Sequence, residues 1–187
     1  MAKDPGEEPA PGAHSAEFLS LQALPPALAQ IPRAVLEEDR TPGVLSGAIA
    51  AYRAPGISVT IYLFRRSAEP VPEGPDSLPV LSKLISASAA AREVLGQRLG
   101  PRVEARLARM AVRGAIVLCS QDIYRAGPNA VQDFTCVASQ DGRLLKLRAT
   151  FRTLPEEQDQ AQRAIASMLD RVRGHLSGGG AAGAIRT

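Results

Sequence analysis

The sequence predicts an α+β protein, a mainly antiparallel sheet flanked by helices in the order β-β-α-β-β-β-α. Three observations carry that reading. Gly114–Tyr124 and Ala130–Ala138 are extended apolar runs separated by the turn formers Gly127, Pro128 and Asn129. Asp141-Gly142 then tolerates the positive φ angles of a tight type I′ hairpin. Beyond it Leu145, Leu147, Ala149 and Phe151 alternate with Lys146, Arg148, Thr150 and Arg152, so one face of that strand meets a core and the other meets water or a groove.

A helix follows. Thr153-Leu-Pro-Glu156 fits a capping box, Ala161, Ile165, Met168, Leu169 and Val172 form one apolar stripe, and Gly174 suits a C-terminal stop. Earlier in the chain, Leu45–Arg53 and Ile57–Phe64 flank Ala54-Pro55-Gly56, which suits a type II turn and therefore a hairpin. In Ile57–Phe64 both alternating faces are partly apolar, which implies helical cover on one side and part of the other. After the proline-rich loop Glu69–Ser77, the residues Leu81, Leu84, Ile85, Ser88, Ala91, Leu95 and Leu99 line one side of a helix that Gly100-Pro101 ends. Arg102 to Met110 reads as helix or as strand. Leu19 to Pro32, broken by Pro25, Pro26 and Pro32, reads as an irregular entry, with Val35-Leu36 opening a short edge strand.

At 187 residues the chain suits one domain with tails. Residues 1–18 are expected to be a disordered head, 19–176 the domain, and 177–187 a flexible glycine-rich tail. The formal charge of +3 comes from 22 basic and 19 acidic residues without a polybasic block, so it only weakly favours anionic partners. No apolar run reaches membrane-spanning length, and the N-terminus lacks the pattern of a signal peptide. The expected location is cytoplasmic as the sequence stands, and periplasmic or secreted if a leader has been removed.

The residues offer little catalytic chemistry. His14 falls in the expected head and His175 just past the last helix, where neither is held as a general base. Cys119 and Cys136 lack the spacing of a zinc site, so neither metal nor cofactor is expected. A symmetric hairpin through Ala126–Asn129 pairs residues whose numbers total 255, which makes the two cysteines direct cross-strand neighbours. They read as buried thiols in a reducing compartment and as a disulfide in an oxidising one.

Arg98, Arg102, Arg106, Arg109 and Arg113 would share one side of a continuous helix and could meet nucleic-acid phosphate. Glu93 and Glu104 interleave with them and aromatic residues are few, so a solvated face is the better reading. Lys146, Arg148 and Arg152 on one strand face form a candidate interaction surface for the acidic groups of a partner or of a covering helix.

The element order resembles the Mog1/PsbP-like fold of bacterial proteins, together with Leu24-Pro-Pro-Ala-Leu28, the pairs Ala51-Tyr52 and Ile61-Tyr62, and Asp141–Thr150 before the last helix. That resemblance runs from about Leu24 to Val172 and implies an antiparallel sheet sandwiched by helices, used for protein binding or accessory assembly roles. It transfers no functional residue. The expected function is a non-enzymatic module with an unidentified protein partner. The alternatives are a small hydrolase-like enzyme with a carboxylate/arginine cleft, or a weak nucleic-acid binder.

Overall fold

A computed structural model describes residues 14–154 and 157–178 of the chain. Its elements run α1 (Ala16–Gln22), β1 (Ala27–Leu28), β2 (Ile31–Glu38), β3 (Ser46–Ala54), β4 (Ile57–Arg65), α2 (Leu78–Leu99), β5 (Arg102–Val112), β6 (Ala115–Ala126), β7 (Asn129–Gln140), β8 (Arg143–Thr153) and α3 (Gln158–Gly178). The eight strands form one antiparallel sheet in the order β1-β2-β3-β4-β8-β7-β6-β5. It consists of two four-stranded meanders, β1–β4 and β5–β8, joined where β4 pairs with β8.

Tight turns set the registers. Asp141 and Gly142 both take positive φ, 51° and 72°, as a type I′ hairpin requires. A Cβ on Gly142 would also lie 2.9 Å from Cβ of Pro70, so the proline-rich loop packs against that turn and leaves room only for glycine. Gly127, at φ 63°, turns β6 into β7 with Ala126 facing Asn129.

The larger core lies on the face covered by α1 and α3. Phe18 and Leu21 of α1 and Ile165, Met168, Leu169 and Val172 of α3 pack over Tyr52, Ile61, Phe134, Leu147 and Phe151. On the opposite face α2 covers β6 and β7 through two smaller apolar patches. Val80 and Leu84 meet Phe64, Leu118, Val137 and Leu144, and Leu95 meets Tyr124 and Val131.

Several expectations shift. Arg102–Val112 is a strand, so the helical spacing of its arginines is a coincidence of sequence. Arg106 and Arg109 project to opposite faces, and Arg102, Arg106, Arg109 and Arg113 pair with Asp122, Glu104, Asp76 and Asp170. The entry is more regular than its prolines suggest, because Ser15 caps α1 through a 3.1 Å bond from the Phe18 amide, and β1 and β2 follow. Residues 14–18 therefore belong to the fold, while 1–13 of the expected head lie outside the described residues. Helix α3 runs past Gly174 to Gly178, so His175 lies within it; 179–187 of the expected tail fall outside the described residues. Pro155 and Glu156 of the expected capping box fall outside them as well. The Thr153 hydroxyl accepts from Gln132, and the Leu154 amide donates to the Glu157 carboxylate. Ile85, expected in the buried stripe of α2, is exposed, and Val80, which that stripe did not include, is buried.

Candidate functional site

The chemistry of the chain collects on the sheet face that α2 shares. Across β3, β4, β8, β7 and β6, one row holds Arg53, Ser58, Thr150, Asp133 and Asp122. The next row holds Ala51, Thr60, Arg148, Thr135 and Ser120, and the third holds Ile49, Tyr62, Lys146, Val137 and Leu118. Helix α2 roofs the β6–β7 end of these rows, pinned by a 2.6 Å hydrogen bond between the buried Ser88 and Ser120 hydroxyls. Their β3–β4 end lies open, with Arg53 and Ser58 exposed and Thr60, Tyr62, Lys146, Arg148 and Thr150 half-buried.

Asp122 and Asp133 face each other directly beneath α2, and both are buried. Two opposed carboxylates are unfavourable unless each finds its own cations and donors. Asp133 receives Arg148 Nε at 3.1 Å and the Thr150 hydroxyl at 2.7 Å. Asp122 receives Arg92 Nε at 2.9 Å on Oδ2 and Arg102 Nη1 at 2.6 Å on Oδ1. Burial pushes the Asp133 carboxyl above its ordinary value; Arg148 and Thr150 oppose that, and the Asp122 charge adds to it.

Lys146 sits where the roofed and open parts of the face meet. Its ammonium lies 3.3 Å from the centroid of the Tyr62 ring. Burial, the nearby Lys83 and Arg148 bring it down to about 8, against a partial counter-effect of Asp39. Lys83 of α2 lies over the Phe64 ring and is also lowered, first by burial and then by Arg66. Arg152 is exposed one row beyond Arg53, in register with Val131 and Tyr124. Of the expected interaction surface, Arg148 is thus committed to Asp133, Lys146 stacks on Tyr62, and Arg152 stands in solvent.

Cys119 faces Cys136 in the β6–β7 register and is joined to it by a disulfide on the other face of the sheet, deep in the larger core beside Met110. His14 stacks on Phe18 and lies 3.3 Å from Glu38, and His175 Nδ1 lies 2.9 Å from the Arg171 carbonyl. Neither histidine reaches the acidic pair. Among the described residues no cluster of three or more His, Cys, Asp and Glu is placed to hold a metal ion, and no helix is long and apolar enough to cross a membrane.

The facing aspartates are absent from the sequence reading. Their signal lies in β7, where Gln132, Asp133 and Thr135 place polar groups on both faces of a strand that is buried almost throughout. A strand of that kind has to satisfy those groups internally.

Fold and site define an α+β protein with an open antiparallel sheet whose two meanders share one half-roofed, charged face. No family model matches the chain, and no curated protein matches it. Among solved structures, that of an uncharacterised protein from Mycobacterium smegmatis aligns over 73% of this chain and 69% of its own, at 15% identity and a TM-score of 0.35.

Proposed function

We propose that the protein is a non-enzymatic accessory module that docks an acidic segment of a partner protein on the open face of β3, β4 and β8. The observation that carries this reading is charge around a shallow floor. Ala51, Ser58, Thr60 and Thr150 keep the surface low, and Arg53, Lys146, Arg148 and Arg152 stand around it. Among the described residues Arg53 and Arg152 have no ion-pair partner, and the four cations outnumber Asp133, Glu37 and Asp39, the acids on or beside this face. Such a surface is complementary to carboxylates and steers their approach.

The Mog1/PsbP-like resemblance belongs to the same reading, since that fold serves protein binding and accessory assembly. A hydrolase-like cleft would need Lys146, Arg148 and a free carboxylate in one pocket. Asp133 is instead tied to Arg148 and Thr150, which favours the docking role.

The test is a titration with a fluorescent glutamate-rich peptide, followed by anisotropy at several salt concentrations. Arg53→Glu together with Arg152→Glu is expected to weaken binding by about tenfold or more, because two attractive charges become repulsive. Both positions are exposed, so the thermal midpoint should hardly move. Equal affinity of wild type and variant would overturn the proposal. So would saturable binding of single-stranded RNA in place of the peptide, with a steep salt slope.

A further inference from the structure

A groove lies at the β5–β6 end of the same sheet face, where α2 ends, with β7 between it and the open strands β3, β4 and β8. It is an open depression of about 510 Å³ lined by Arg92, Gly96, Gly100, Pro101, Arg102 and Tyr124. Asp122 grips both arginines at its base, one on each oxygen, at 2.9 and 2.6 Å. One buried carboxylate thus orders two guanidinium groups and neutralises only one of their two charges. Each guanidinium has five N–H donors and spends few of them on Asp122. Their side chains remain 41% and 36% exposed along the groove wall.

Tyr124 supplies an independent observation. The residue is 1% exposed, lines the groove, and its hydroxyl is buried without a hydrogen-bond partner. A buried donor without an acceptor is costly and calls for an explanation. Burial, then Asp122 and Asp133, raise its pKa, so the phenol keeps its proton and stays a donor.

We infer that this groove binds the phosphate group of a small phosphorylated molecule. Two planar guanidinium forks and a phenol offer more donors, in more directions, than the two oxygens of a carboxylate can use, whereas a tetrahedral oxyanion has an oxygen for each. Asp122 holds the forks in place before the ligand arrives, which limits the ordering cost of binding.

The experiment titrates inorganic phosphate into the full chain at constant ionic strength, with sodium chloride and acetate as comparison anions, by calorimetry and by the NMR shifts of the arginine Nε–Hε groups. Phosphate is expected to saturate and to shift two arginine signals, with acetate binding more weakly. Tyr124→Phe removes only the unpartnered hydroxyl, so it should weaken phosphate severalfold while the free protein's thermal midpoint stays or rises. Arg102→Gln should weaken binding by about tenfold or more, with its fold checked by near-ultraviolet circular dichroism. The Arg53→Glu protein, altered on β3 four strands from β6, should bind phosphate as the wild type does, which separates this site from the docking face. Absence of saturation beyond chloride, acetate binding as tight as phosphate, or unchanged affinity in both Tyr124→Phe and Arg102→Gln would overturn the inference.

Discussion

Arg148→Ala is expected to destabilise the protein by about 3–5 kcal/mol at neutral pH, because it strands a buried carboxylate. Asp133 is 1% exposed, and Arg148 is the cation that reaches it, at 3.1 Å. The Thr150 hydroxyl would remain, yet one neutral donor does not balance a charge that also faces Asp122. The loss should depend on pH in a definite direction. Asp133 is already held above its ordinary 3.8, so folding favours its protonated form. Stabilisation from such a group is complete below about pH 3.8 and is lost as pH rises through the raised folded value. Removing Arg148 raises that value further, so the gap between variant and wild type should narrow on acidification. Urea unfolding at pH 7 and at about pH 4.5 measures both. Adding Asp133→Asn to the Arg148→Ala protein should recover part of the loss at pH 7. A loss below about 1 kcal/mol, the size of an exposed pair, would contradict the burial of this interaction.

Replacing both Cys119 and Cys136 by alanine is expected to cost about 3 kcal/mol from loop closure in the unfolded chain. The estimate follows from a sequence separation of 17 residues between the bridged positions. The lost sulfur volume beside Met110 adds a cavity term to it. Since both residues are buried, reductant should reach the bond only as the chain opens. Thiol titration without reductant is expected to find none before or after denaturation, and two after reduction in denaturant. Two thiols released by denaturant alone, or an unchanged unfolding midpoint in the double variant, would contradict the covalent link.

The part of this molecule that could be read from residues alone is the part governed by local rules. Asp141-Gly142 announces its turn because few residues accept two successive positive φ angles, and once Gly127-Pro128 fixes a symmetric hairpin the register of Cys119 and Cys136 follows by counting. Arg113-Gly114 makes a comparable turn, with φ of 49° and 75°, but arginine hides it. The strand Arg102–Val112 was ambiguous because arginines three and four residues apart imitate a helical face; its pairing with β6 decides the matter, and pairing is not local. The Asp122–Asp133 pair was illegible for the same reason. Each aspartate alone looks like the solvent side of an alternating strand, and only the roof of α2 turns two ordinary polar positions into a buried, mutually repelling pair with its own set of cations.

The connection between the two meanders has a geometric consequence. After β4 the chain must reach β5, four places away at the outer edge of the sheet, and adjacent strands lie about 4.8 Å apart, a traverse of about 19 Å. A helix of 22 residues, about 33 Å long, spans that distance with ease, and in doing so it has to pass over the second meander. The strands of the first meander are joined in sequence to their own neighbours, so no crossover passes over them. Helices α1 and α3 are both spent on the opposite face. The bare half of the charged face is therefore a product of connectivity, and a roof for it must be supplied by something other than these three helices.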